Sequence, residues 1–348
     1  MTMTSDARVR RWLQVSAGAV VLAVAIGGIT RLTESGLSIT EWRPVSGVLP
    51  PTSSGEWEQA YQGYLAIPEA QTVHRGITMF QFQALFWWEW VHRLLARLVG
   101  LVLAVPYVVL LARGEIRRSL RGRLALLPIL AAAQGALGWY MVKSGLQVRT
   151  DVSPYRLTAH LGMALIIYVV CVWTTMDLSP RCSENVAVRP LLQRGLWLGL
   201  VLAVVTILSG GFVAGLDGGK VFNTFPLMGG QVVPLGYRMP GLGWRNAFEN
   251  PIAAQFHHRA LALTTATLLL VLAAYTRRAD VSARVRQAVT AAGAVVVLQV
   301  ALGITTLLMS VPVTIAVTHQ VTAVAVLTAM LVAVHRARVV GHSGPAPE

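Results

Sequence analysis

The sequence predicts an all-α polytopic membrane protein, with eight transmembrane helices forming two pseudo-symmetric four-helix bundles. Three observations point there. Of 348 residues, 55% are hydrophobic and only 13% charged, whereas an average soluble chain carries about 25% charged residues. Apolar runs long enough to cross about 30 Å of hydrocarbon recur along the whole chain. The second half also repeats polar features of the first. The step Glu89-Trp90-Val91-His92-Arg93 returns 166 positions later as Gln255-Phe256-His257-His258-Arg259.

The eight runs fall at about 12–30, 87–111, 124–142, 158–176, 195–215, 254–275, 287–309 and 314–335. The first follows Arg8, Arg10 and Arg11 in the manner of a signal peptide. Its end, Gly27-Gly28-Ile29-Thr30-Arg31, is a poor cleavage site, so a retained helix is expected. The second run opens on the first histidine-arginine step. The third carries Gln134-Gly135-Ala136-Leu137-Gly138, and the fourth opens on Thr158-Ala159-His160. In the fifth, Gly210-Gly211 matches Gly27-Gly28, and the following Gly215-Leu216-Asp217-Gly218-Gly219 roughly parallels Leu32-Thr33-Glu34-Ser35-Gly36. The sixth opens on the second histidine-arginine step. The seventh carries Gln299-Val300-Ala301-Leu302-Gly303, and the eighth Val317-Thr318-His319.

The offsets are 183, 166, 165 and 159, a drift expected if loops differ while helices do not. Four helices per half give both copies the same orientation, a parallel repeat. The expected division is 1–180 and 181–348. The glycines suit close approach of helix backbones or of a flat macrocycle.

The net charge of +14 is a statement about orientation. Seventeen of the 29 basic residues lie at the amino terminus, in the loops after the second, fourth and sixth runs, and in the tail. The opposite loops are longer and hold nine: Arg31, Arg43, Arg75, Lys143, Arg149, Arg156, Lys220, Arg238 and Arg245. The positive-inside bias places both termini in the cytoplasm. The basic residues flank helices without interleaved aromatics, which excludes a nucleic-acid surface. Cys171, in the fourth run, and Cys182, in a cytoplasmic loop, are not placed for an external disulfide.

Ionisable residues inside membrane helices are costly and usually functional. His92, His160, His258 and His319 all stand in even-numbered runs, within about one to three turns of the outer end, roughly 5–10 Å deep. Two imidazoles on facing helices at one depth can supply both axial ligands of a haem iron. The alternative is a set of core histidines hydrogen-bonded to neighbouring helices. Zinc would want about four close ligands, and each half offers two. His257 points away from His258 and reads as packing, while His74, His335 and His342 have no repeat partner.

Arg93 and Arg259 follow the ligand candidates and could hold haem propionates, pair with a loop, or snorkel. Glu89 shares a helix face with His92. It suits an acid/base group or a charge stabilising a cationic intermediate; pairing with Arg93 or Arg97 is the structural alternative. Gln255 keeps its shape and loses the charge. This asymmetry predicts a reactive first half and a permanent cofactor in the second.

Several strings resemble haem A synthase, in its proteobacterial and mitochondrial branch. They are Leu32-Thr-Glu-Ser-Gly-Leu-Ser38, Glu89-Trp-Val-His-Arg93, Leu137-Gly-Trp-Tyr-Met-Val-Lys-Ser-Gly145, Tyr155-Arg-Leu-Thr-Ala-His160, Phe222-Asn-Thr-Phe-Pro226, Phe248-Glu-Asn-Pro251 and Gln255-Phe-His-His-Arg259. The resemblance implies oxidation of one ring methyl of haem O to an aldehyde by successive hydroxylations, giving haem A for cytochrome c oxidase. It implies haem b on His258 and His319, substrate at His92 and His160, and a catalytic role for Glu89. It also implies a bacterial inner-membrane location, with both haem sites toward the outer side. Partners implied are haem O synthase, cytochrome c oxidase assembly factors and an electron donor the sequence does not reveal. A di-haem b quinol oxidoreductase is the competing function.

There are departures. Gln81-Phe82-Gln83 stands where relatives often have Glu-Phe-Lys, and Leu227 where a lysine often follows Phe-Pro. The loop cysteine pairs of some relatives are missing. The long loops 31–80 and 216–253 are rich in aromatics and prolines, suited to capping the sites or to an interfacial belt.

Overall fold

Each apolar run becomes one helix, and each helix is longer than its run. The computed structural model describes residues 3–42, 46–146, 150–179 and 188–338. Arg43, Arg149, Arg181, Cys182 and His342 lie outside these. The helices, in chain order, are α1 (Met3–Leu32), α2 (Ser54–Leu65), α3 (Pro68–Thr72), α4 (Met79–Ala112), α5 (Arg118–Lys143), α6 (Pro154–Asp177), α7 (Pro190–Gly215), α8 (Asn246–Glu249), α9 (Pro251–Arg278), α10 (Ala283–Leu308) and α11 (Val313–Arg336). Among the described residues there is no strand beyond a single bridge between Met228 and Gln231. Eight helices are long and apolar enough to cross a membrane: α1, α4, α5, α6, α7, α9, α10 and α11.

Local chemistry sets the ends. Proline sits in the first turn of α6, α7 and α9, where its missing N–H is no loss. Asn250 caps α9 by accepting the Ile252 N–H at 3.0 Å. At α4, Thr78 and Gln81 form a complete capping box: Gln81 N–H donates to Thr78 Oγ1 at 3.3 Å, and Thr78 N–H to Gln81 Oε1 at 2.9 Å. A glutamine does this as well as a glutamate, so the first departure from the family pattern costs the fold nothing here. Phe82, inside the same tripeptide, is fully buried.

Helix α1 packs on α4 and α6, and α5 on the same two, which closes a ring of four. Helix α7 packs on α9 and α11, and α10 on the same two, which closes another. The rings meet where α6 lies on α7 and where α11 lies on α1 and α6. A continuous apolar core runs through both. Large apolar side chains such as Leu101, Val108, Ile129 and Val271 remain exposed on the long helices, as lipid contact requires.

The loop expected over 31–80 is partly helical. Helices α2 and α3 fold down on the start of α4 and build a second core from Leu37, Tyr64, Ile67, Phe82, Phe86 and Val152. Trp57 packs edge-on against Phe86 at 4.9 Å. These aromatics therefore form a cap over the first ring. Trp244 is 76% exposed and fits the interfacial alternative instead.

Candidate functional site: two histidine pairs

Helices α4 and α6 sit diagonally in the first ring, and each carries one histidine toward the other. His92 and His160 are close enough to interact electrostatically; so are His258 on α9 and His319 on α11. All four histidines are half-buried residues. His160, His258 and His319 stand six or seven residues from the start of their helices, as expected. His92 stands thirteen residues in, because α4 begins at Met79 rather than near 87.

Each imidazole rests on a glycine of a neighbouring helix. A Cβ added at Gly27 would lie 2.9 Å from His92 Cε1, and one at Gly138 would lie 3.1 Å from His160 Cε1. The corresponding separations are 3.1 Å for Gly210 and His258, and 2.8 Å for Gly303 and His319. The glycines therefore make room for the rings. The second glycine of each pair does something else. Gly28 faces Gln320 of α11, whose Nε2 donates to the Val24 carbonyl at 2.8 Å, and Gly211 faces Thr158 of α6. Each Gly-Gly pair thus seats one histidine of its own ring and one helix of the other.

The polar surroundings of the histidines differ. Gln134 Nε2 lies 3.3 Å from His160 Nε2, and Gln299 Nε2 lies 3.5 Å from His319 Nε2. The Nδ1 atoms of His92, His160 and His319 are buried without a hydrogen-bond partner. His258 Nδ1 has one: Ser209 Oγ at 2.8 Å. Sequence reasoning missed Ser209. The signal was present in the residue before each cradling glycine, which is Ile26, Leu137, Ser209 or Leu302.

Glu89 is 2% exposed and its carboxylate is saturated. Oε2 accepts from Ser38 Oγ and from the Ile39 N–H, each at 2.7 Å. Oε1 accepts from Arg93 Nε at 2.9 Å and Nη2 at 2.6 Å. The pairing is with Arg93 at i+4, the structural alternative set out above. Arg93 also grips the loop, donating to the carbonyls of Ile39 at 2.7 Å and Glu41 at 3.1 Å. Arg259 does the same to Phe222 and Thr224, both at 2.8 Å. Gln255 Nε2 donates to the Phe222 carbonyl at 3.0 Å, and its Oε1 is buried without a partner. Both arginines thus hold two carbonyls two residues apart, in loops offset by 183. Where the first loop is tied to an anion, the second is tied to an amide.

Glu34 and Asp217, also 183 apart, both adopt left-handed backbone, at φ 54° and 50°. Lys220 bridges them, 3.7 Å from Glu34 and 3.4 Å from Asp217. Burial pushes the Asp217 carboxyl up, but the adjacent Arg31 and Lys220 charges hold it below its ordinary value. Under the first cap, Glu69 is nearly fully buried. Burial, then the negative charges of Asp151, Glu89 and Glu34, push its pKa to about 8, against a hydrogen bond from Tyr64.

The other described histidines do ordinary work. His257 Nε2 meets Tyr237 Oη at 2.9 Å, His74 lies between Tyr64 and Glu34, and His335 bonds Asp177 at 3.0 Å. Cys171 is fully buried and free.

Among the described residues, no group of three or more His, Cys, Asp or Glu side chains converges as a metal-binding cluster. That is unsuited to zinc. Facing imidazole pairs, with glycines that leave space for the rings, fit axial ligation of a haem. Fold and site together define a polytopic helical membrane protein with two intramembrane histidine pairs. Residues 10–331 match the sequence profile of the COX15-CtaA cytochrome oxidase assembly proteins, and the chain belongs to that family. It is 44% identical over 328 residues to a heme A synthase of Bradyrhizobium sp., covering 93% of this chain and 90% of the relative. It is likewise 44% identical over 321 residues to one from Rhodospirillum centenum, covering 92% and 86%. The identity to one from Nitrosospira multiformis is 41% over 330 residues, covering 94% and 92%.

Proposed function

We propose that this protein is an oxidoreductase that converts a ring methyl group of haem O to the formyl group of haem A, for use in cytochrome c oxidase. The observation carrying this reading is end-to-end similarity to heme A synthases at more than 40% identity, joined to two pairs of membrane histidines that differ in one acid. The chain divides near residue 180 into two four-helix units. His92 and His160 hold the substrate haem O, and His258 and His319 hold a resident haem b. The bound haem supplies the redox chemistry.

The chain's own residues position the substrate and exclude water. Gly27 and Gly138 make space for the substrate-side imidazoles. Arg93, clamped by Glu89, pins residues 39–41 beside His92, and the capping core of α2 and α3 closes over the ring. Glu89, ion-paired with Arg93, holds that loop in place beside the substrate ligand, and the orientation of the pair sets the electrostatic field there during methyl oxidation. Arg259 holds the second loop over the resident site. Arg93 commits its donors to Glu89 and to loop carbonyls and so orders the first loop, whereas Arg259 orders the second loop and keeps its buried Nε without a partner, a donor left over for a haem propionate.

The protein lies in the bacterial inner membrane with both termini cytoplasmic and both sites toward the outer side. Haem O is too apolar to cross water freely, so direct transfer from haem O synthase, and onward to oxidase assembly factors, suits it.

Cells producing this protein together with haem O synthase should yield haem A or a hydroxylated precursor in extracted pigment during aerobic growth. Purified protein carrying two b-type haems, with neither product ever formed, would instead establish a di-haem electron carrier.

A further inference from the structure

We propose that Ser209 is a positioning residue that fixes the tautomer of His258 and tunes the iron bound there; the inference rests on His258 and His319 holding the resident haem. Ser209 Oγ lies 2.7 Å from the Thr206 carbonyl and 2.8 Å from His258 Nδ1. A carbonyl only accepts, so the single hydroxyl proton goes to Thr206. Ser209 then offers a lone pair to the imidazole, and Nδ1 carries the ring proton. That leaves the Nε2 lone pair free for a metal.

The other three histidines lack this arrangement. The residues corresponding to Ser209 are Ile26, Leu137 and Leu302, none of which can accept a hydrogen bond through its side chain. His92 and His160 have bare buried Nδ1 atoms; the His319 ring faces the Gln299 backbone carbonyl outside hydrogen-bond geometry, as the His258 ring faces that of Thr206, so the Ser209 hydroxyl is the partner that distinguishes His258.

A proton shared from Nδ1 makes an imidazole a stronger donor and stabilises ferric iron, and removing such a partner typically weakens binding by about 10–100-fold. In the purified full-length protein, Ser209→Ala should lower affinity for the resident haem about tenfold. It should also raise the haem midpoint potential and shift the low-spin ferric EPR signal. Ser209→Thr, which keeps the hydroxyl, should restore wild-type values. Should the alanine variant not accumulate, Ser209→Cys carries the same expectation, since a thiol is a weak acceptor of similar size. Variants binding haem with unchanged potential and EPR signal would overturn the role of Ser209 and leave the resident haem standing. Wild-type protein with no bis-imidazole haem would instead overturn the resident-haem assignment itself.

Discussion

Glu89 has two oxygens and four donors, and each donor ties it to something that must not move. A buried carboxylate so engaged orders the loop at 38–41 and neutralises Arg93 in one stroke. Removing one member of a buried pair costs about 3–5 kcal/mol, because the other charge is left uncompensated. Glu89→Gln should loosen the first ring locally and keep the haem proposed for the other ring. It should form no product and should expose residues 38–42 to protease. Full activity in extracted pigment would remove Glu89 from the mechanism.

Glu69 makes a pH prediction. The folded protein holds this proton more tightly than the unfolded chain, with a pKa raised from 4.5 to about 8. The associated stability is complete below pH 4.5 and lost as pH rises through about 8, at about 1.4 kcal/mol per unit between those values. Glu69→Gln keeps the shape and the proton donor, and should flatten this decline in thermal unfolding of detergent-solubilised protein. A Glu69→Gln protein declining as steeply as wild type would show that another group is responsible.

Helices explain why glycines recur where they do. Glycine within a helix costs about 1 kcal/mol relative to alanine, and at four positions that cost coincides with an imidazole needing room. Gly135 and Gly138 lie one turn apart on α5 and separate the two effects. Gly135 has nothing within 4 Å of an added Cβ, whereas Gly138 has His160 at 3.1 Å. Gly135→Ala should raise the melting temperature slightly and leave activity intact, while Gly138→Ala should weaken substrate binding. Gly303→Ala, with the closest approach at 2.8 Å, should reduce resident haem content. Equal effects of Gly135→Ala and Gly138→Ala on substrate binding would make the glycines a matter of helix packing alone.

Across the whole molecule, two rings of four helices carry one histidine pair each, and the proposed functions are unequal. His258→Ala should strip the resident haem, whereas His92→Ala should leave much of it; the reverse absorption spectra would mean the roles are exchanged. The charge bias makes a second whole-molecule prediction. A periplasm-dependent reporter should be active when fused within 216–250 and inactive when fused after Arg338.

The eight helices, their order and the histidine pairs were legible because hydrocarbon leaves few choices. A run of about 20 apolar residues must be helical to satisfy its backbone, and a histidine within one needs a reason. What could not be read was which donor reaches which acceptor. Glu89 had Arg93 and Arg97 as candidate partners at helical spacing, and only the folded loop brought Ser38 and the Ile39 N–H to its other oxygen. Ser209 looked like any small helix residue until α7 met α9. Loop 31–80 looked irregular because α2 and α3 are too short and too mixed in polarity to announce themselves, and they hold together by packing on Phe82 and Phe86. The sequence by itself determined a helical membrane chain with four paired histidines. Tertiary structure alone decided which glycine seats which ring and which residues complete each site, because those are contacts between segments far apart in the chain, whose spacing along it carries no information about distance in space.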